Sequence, residues 1–332
     1  MNWGCSSFSW ETQDGFHLLG RTYDQFGDLK LNQLIAVPAG ACCSPGLNCD
    51  EGAVTASYGY TGMAVLGFGH PIQVDGVNYA GLAGALLHYP EYAVYDKTPL
   101  EKTSVHPGRL LAWLLGQFSS VEEVAKAMPH ISLSNEPVQG KPLPAHYILS
   151  DKSGEAIIIE PDWDGIKVHR KTMGVLTNSP NYQWHQTNLR NYVGVTNWNK
   201  PPQTVAGLEI REFGERLGGG FGLPGDYSSP SRFVRIAFMK EFATQGVDEI
   251  DGVSRMFRAF APVDIPEGLV KADPAHPVYE QTLCTSVMCA ESGVYYFAPA
   301  WNRRISAIRP LEHSQEIQYF SLGNIQDIDY KN

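Results

Sequence analysis

Positive charge is scarce in this sequence. Its 25 Lys and Arg stand against 35 Asp and Glu, a formal net charge of −10. A chain this acidic is poorly suited to phosphate backbones and anionic membrane surfaces, which excludes nucleic acid as the expected partner. Nowhere do 18 apolar residues run uninterrupted, so no bilayer-spanning helix is expected. Met1-Asn2-Trp3-Gly4-Cys5-Ser6-Ser7 has neither the basic stretch nor the apolar core of a secretory signal. The expectation is a cytoplasmic protein with no membrane partner. Cysteine is also sparse: the 6 residues include no C-x2-C pair, so a four-thiol zinc site is not expected. Cys42, Cys43 and Cys49 share a Gly/Pro-rich loop, where a metal site or a disulfide competes with ordinary reduced thiols; a reducing compartment favours the thiols. No spacing of the 10 histidines suggests a metal cluster, and neither a metal nor an organic cofactor is expected.

What is present is a globular composition, with 43% hydrophobic residues, 33 Gly and 22 Pro. A chain of 332 residues buries about 75% of its unfolded surface and needs no covalent staples. Residues 6–11 and 16–21 predict a hairpin about Asp14-Gly15, and further strands are expected at 31–37, 54–66 and 71–79, the last hinged at Asp75-Gly76. Pro107 and the capping box Ser120-x-x-Glu123 open two helices. A meander is expected over 146–150, 155–160 and 166–169, with helices near 184–193, 230–244 and 248–260. Strands near 281–290, 293–299, 304–309 and 316–322 close the chain. Hairpins at both ends with helices between them predict an α+β fold of two packed sheets in one domain. Gly218-Gly219-Gly220-Phe221-Gly222 follows no strand, and so reads as a loop rather than a nucleotide-binding turn.

Cys5 is the candidate nucleophile because of its position. A thiol needs a base, and if four residues were removed Cys5 would carry its own α-amine, with a reference pKa of about 7.7–8.0 that suits proton transfer at neutral pH. The plain alternative is a small buried hydrophobe in the first strand. Favouring chemistry, the second hairpin strand carries Arg21 and Asp24 at its end and brings Asp24 near-opposite Cys5, where a guanidinium lowers a thiol pKa and a carboxylate orients an ammonium. A surface ion pair is the bland reading of that couple.

The ordered set Gly4-Cys5-Ser6-Ser7, Arg21-Thr22-x-Asp24, Leu82-x-Gly84-Ala85-x-Leu87-x-Tyr89, Ile157-Ile158-Ile159-Glu160-Pro161, Thr177-Asn178-Ser179-Pro180, Gly222-Leu223-Pro224-Gly225-Asp226, Ser231-Arg232-Phe233 and Thr285-Ser286-x-Met288-Cys289-Ala290 resembles the choloylglycine hydrolase family. Within it the resemblance is nearer to penicillin V acylases than to bile salt hydrolases. It implies an N-terminal nucleophile hydrolase with a four-layer αββα sandwich, self-removal of residues 1–4, and a single domain over 5–332. The implied catalytic residues are Cys5, Arg21, Asp24, Asn178 as oxyanion-hole donor, and Arg232; a backbone N–H near His88 would be the second donor. Asn178 also reads as an ordinary turn former. His88 stands where typical penicillin V acylases carry Tyr and bile salt hydrolases Asn, and is expected to touch substrate, with Tyr23 and Phe26 in an apolar acyl pocket that also draws on Met63, Leu66 and Phe68. The expected substrate is penicillin V, cleaved to phenoxyacetate and 6-aminopenicillanate. A glycine- or taurine-conjugated bile salt is the alternative, N-acyl homoserine lactone a further one, and an inactive ligand-binding homologue the reading from outside enzymology. The resemblance also implies a homotetramer assembled through residues 193–225.

Overall fold

The computed structural model describes residues 3–46, 54–95, 101–211, 218–311 and 314–323. Its opening hairpin turns at Asp14-Gly15, with Gly15 at φ 87°, a left-handed backbone that glycine adopts without a Cβ penalty. Strand Trp3–Glu11 pairs antiparallel with His17–Phe26, in a register that places Gly4 opposite Asp24 and Cys5 opposite Tyr23. Asp24 therefore stands one residue from the position directly across from Cys5.

This hairpin is the middle of the first sheet. Val175–Leu176 flanks it on one side, and the 14-residue strand His276–Cys289 on the other, followed by Tyr295–Pro299 and Ser306–Ile308. The second sheet runs Gly165–His169, Ala156–Asp162, Ala145–Ser150, Ala83–His88, Ile72–Asn78, Tyr60–Val65, Asn32–Val37 and Gln318–Phe320. Neighbours in both sheets pair antiparallel. The sheets pack face to face. Helix Pro107–Gln117 covers the outside of the second, while Ser229–Phe242 and Glu249–Phe260 cover the first, giving the four-layer αββα sandwich. Both faces of the central strands are thus enclosed, which is why they read as continuously buried rather than alternating.

Local chemistry sets the helix starts. Pro107 occupies the first turn behind His106, whose side chain accepts from Gly108 N, and Ser120 caps Val121–Ala127 by accepting from Glu123 N. Helix Glu249–Phe260 lies close on the hairpin because Gly20 has no side chain: a Cβ there would come within 2.7 Å of the Phe260 ring and 2.8 Å of the Met256 sulfur.

Several expectations change. Asp75-Gly76 is no hinge: Ile72–Asn78 continues through it, wholly buried, with a register shift at Val74 where Met63 pairs with Asp75 and Ala64 with Gln73. The dipeptide turns a chain only where glycine takes positive φ, as Gly15 does and Gly76 does not. The run expected at 54–66 becomes a strand only over Tyr60–Val65, and Ala83–His88 is a central strand that the sequence pattern did not mark. The helix near 184–193 is Tyr182–Asn188, continued as a 3-10 turn. Cys42 is disulfide-bonded, which corrects the expectation of reduced thiols in that loop, whereas Cys43 points inward as a free thiol against Ala112 O; Cys49 lies outside the described residues. Among the described residues there is no cluster of metal-ligating side chains, and no helix is long and apolar enough to cross a membrane.

Candidate active site

Cys5 is fully buried between the two sheets. Side chains alternate along a strand, so Cys5, Arg21 and Tyr23 point toward the second sheet, while Ser6, Thr22 and Asp24 point toward helix Ser229–Phe242. The functional groups therefore reach Cys5 from two faces. On the inner face Arg21 Nη2 donates to Cys5 Sγ at 2.6 Å, and its Nη1 donates to Val74 O at 2.7 Å. The guanidinium also lies 4.8 Å over the Tyr23 ring.

From the second sheet Asp75 steadies Arg21, its carboxylate 3.8 Å from Nε. Asp75 in turn accepts from Ser286 Oγ and Tyr295 Oη, both at 2.8 Å, and from Met63 N at 3.1 Å. It is a buried carboxylate with its lone pairs occupied, which is the condition for holding a buried guanidinium in one orientation. Burial works against the Arg21 charge, yet Cys5 and Asp75 bring its pKa above the ordinary value. Burial pushes the Cys5 thiol up to about 11 against the pull of Arg21, so the thiol is protonated in the chain that carries residues before it.

On the other face the groups meet at the Cys5 backbone. The nitrogen, here a peptide N–H and not an amine, donates to Asn178 Oδ1 at 2.9 Å. Arg232 binds the Cys5 carbonyl, donates to Ser6 Oγ at 2.8 Å and to Asn178 Oδ1 at 2.7 Å, and lies 3.8 Å from the Asp24 carboxylate. Thr282 Oγ1 donates to Asp24 Oδ1 at 2.6 Å. Burial raises the Asp24 pKa, opposed by Arg232 and by the threonine hydrogen bonds.

Asn178 is clamped from three elements. Its backbone N–H donates to Ser229 Oγ at 2.9 Å, its carbonyl lies 3.0 Å from His185 Nε2, and its Nδ2 donates to His88 O at 2.7 Å. His185 is buried, stacked on Phe233 at 4.4 Å, and held well below its ordinary pKa by that burial, at about 4; a neutral ring with Nε2–H facing the carbonyl fits this contact.

Cys5, Arg21, Asp24, Asn178 and Arg232 thus converge from four separate stretches of chain. Tyr23 is buried opposite Cys5, and Phe26 is half-buried at the end of the same strand. His88 is 6% exposed, its pKa lowered to about 4 by burial, and it meets the cluster through its carbonyl. Met63 is fully buried, with Leu66 and Phe68 half-buried beyond it. The sequence reasoning missed Asp75 and Glu280. A charged residue between Val74 and Val77 was the available signal for Asp75; Glu280, whose carboxyl faces the Gly4 N–H, had none.

Residues 5–318 match the family described as linear amide C–N hydrolases, choloylglycine hydrolase family. A bile salt hydrolase/transferase from Clostridium perfringens is 33% identical over 310 residues, 92% of each chain. A solved structure of a variant of conjugated bile acid hydrolase from the same organism superposes with a TM-score of 0.88 at 30% identity, covering 99% of this chain and 100% of that one. A penicillin V acylase from Pectobacterium atrosepticum is 32% identical over 174 residues, 49% of this chain and 39% of its own.

Proposed function

The chain belongs to the choloylglycine hydrolase family of linear amide C–N hydrolases, and from that premise we propose that it is a self-processing cysteine amidohydrolase acting on glycine- or taurine-conjugated bile salts. The bile salt reading takes precedence over the penicillin V expectation because the relative named for bile salts matches over nearly the full length, and the named acylase over about half.

The observation that carries the mechanism is that two polar groups address the two reacting atoms of one residue: Arg21 the sulfur, Asn178 the nitrogen. In maturation Cys5 Sγ bonds to the Gly4 carbonyl carbon, the Gly4–Cys5 C–N bond breaks, and the thiol proton passes to the nitrogen. Water then adds to the thioester carbon, the S–C bond breaks, and residues 1–4 leave, so the mature domain covers 5–332. The freed α-amine becomes the base, held by Asn178 Oδ1 and within the field of Asp24. In turnover it takes the thiol proton, the sulfur attacks the substrate amide, and the ammonium protonates the leaving nitrogen. Asn178 Nδ2, with a backbone N–H near His88, stabilises the oxyanion; loss of such a donor costs about 2.7–4 kcal/mol elsewhere. Tyr23, Phe26 and His88 would line the acyl pocket, whose apolar character suits a steroid acid. None of these steps calls on a metal or an organic cofactor.

Homotetramer formation belongs to the same proposal. Hairpin Gln203–Val205 with Leu208–Ile210 stands wholly exposed and presents Val205, Leu208 and Ile210.

Initial rates on glycocholate, taurocholate and penicillin V test the substrate assignment. Either bile salt should exceed penicillin V in kcat/KM by about tenfold or more, a discrimination of the size apolar pockets achieve. The reverse order would restore the acylase reading, and no turnover of any of the three by processed protein would favour an inactive homologue.

A further inference from the structure

Gly4 is buried in the first strand, and two carboxyl-bearing side chains close around it. A Cβ built on Gly4 would overlap Glu280 Oε1, and would lie 3.2 Å from both Glu280 Cδ and Asp24 Cβ. Glu280 reaches this point from strand His276–Cys289, across the intervening strand His17–Phe26 where it pairs with Phe26, and its carboxyl faces the Gly4 N–H. Burial and the nearby Asp24 disfavour its charge, while Arg232 and that N–H favour it; the balance leaves its pKa raised.

The scissile Gly4–Cys5 bond is therefore gripped on both sides. On the acyl side the Glu280 carboxyl lies against Gly4 and faces its N–H, and on the amine side Asn178 Oδ1 accepts the Cys5 N–H at 2.9 Å. An intramolecular acyl shift depends on the sulfur meeting one face of one carbonyl; Gly4 is paired opposite Asp24 near the end of its strand, and the Glu280 carboxyl adds a second hold there.

We propose that Glu280 is a positioning residue for maturation: its carboxyl and the glycine at position 4 form a matched pair that helps fix the scissile carbonyl beside the Cys5 thiol, and a side chain at position 4 would displace the carboxyl from that place. This rests on the assignment of Cys5 as a self-processing nucleophile. Glu280 moves no proton in the scheme; the sulfur–carbon bond forms, the carbon–nitrogen bond breaks, and the thiol proton goes to nitrogen as above.

A double-mutant cycle followed by intact mass against time tests it. Gly4→Ala should slow release of residues 1–4 by about tenfold to a hundredfold, the range a sub-ångström to 1 Å misplacement produces. Glu280→Ala should slow it as well, because the anchor is lost, and Glu280→Gln, which keeps an acceptor oxygen, should mature near the wild-type rate. The combined Gly4→Ala/Glu280→Ala chain should mature faster than Gly4→Ala alone, since the collision is relieved, a non-additivity that a general loss of stability does not produce. In a chain trimmed by a site-specific protease to begin at Cys5, Glu280→Ala should keep kcat and KM within about twofold of wild type, because uniform anchoring of the departed segment has no part in turnover. Wild-type maturation for Gly4→Ala, an unchanged Gly4→Ala defect on removal of the Glu280 carboxyl, or loss of turnover in trimmed Glu280→Ala would each overturn the inference. Failure of the wild-type chain to release residues 1–4 at all would instead overturn the assignment of Cys5.

Discussion

Arg232 is the residue through which the cluster is tied together, since one guanidinium touches the Cys5 carbonyl, Ser6, Asn178 and the Tyr227 carbonyl and faces Asp24. A lysine keeps the charge but has one nitrogen and no fork, so Arg232→Lys should lower kcat/KM by about a hundredfold in steady-state assays on conjugated bile salt. The Cys5 thiol gives a second prediction. Its pKa of about 11 in the unprocessed chain lies above neutrality, and the thiolate is the attacking form, so raising the pH should speed maturation by about tenfold per unit over the neutral range. A flat profile in single-turnover mass measurements would contradict this. At this scale the sequence was informative wherever a residue type had a distinctive neighbour in the chain, as Arg21 and Asp24 do. It was silent on Glu280 and misleading on Asp75, whose roles arise only from what the folded sheets bring against them.

Among elements, the stretch that carries Asn178 is held by a buried carboxylate. Glu160 accepts from Tyr182 N at the start of helix Tyr182–Asn188 and contacts His146 and His169; His146 in turn lies 2.9 Å from Thr177 O. Burial opposes the Glu160 charge, but the two histidines carry its pKa down to about 2. Its unfolded value is about 4.3, so the stabilisation is fully present above that pH and is lost as pH falls toward 2. The wild-type melting temperature should accordingly drop more steeply than that of Glu160→Gln across this acid range, although Glu160→Gln should be the less stable protein at neutral pH. The packing of helix Glu249–Phe260 supplies another test. Gly20→Val places two methyl groups against Phe260 and Met256 and should destabilise by about 1–3 kcal/mol in chemical denaturation. The two Asp-Gly dipeptides show why elements were only partly legible. Asp14-Gly15 lies between strands that end there, whereas Asp75-Gly76 lies in a strand enclosed on both faces, and enclosure is a property of the sandwich that a local window does not contain.

At the scale of the whole molecule, the first sheet joins the opening hairpin to strands between residues 270 and 308, and the second closes with Gln318–Phe320 beside Asn32–Val37. The candidate nucleophile therefore sits in the second layer of a sandwich that exists only when both ends of the chain have come together, and self-processing should report on completed folding. The protruding hairpin carries the assembly prediction: wild type should show the light-scattering mass of the proposed tetramer, and Leu208, 68% exposed, replaced together with Ile210 by Asp should shift it toward smaller species. The two-sheet architecture was readable from hairpins at opposite ends, while the pairing of Ala83–His88 into the centre of its sheet was not, because an apolar run of five residues ending in a histidine has no period to betray its strand character. Everything proposed for the chemistry depends on Cys5 becoming the first residue. Intact-mass analysis of purified protein measures that directly: wild type should lack the four residues before Cys5, and Cys5→Ala should retain Asn2-Trp3-Gly4. A wild-type chain that keeps them while hydrolysing conjugated bile salt at full rate would contradict the account.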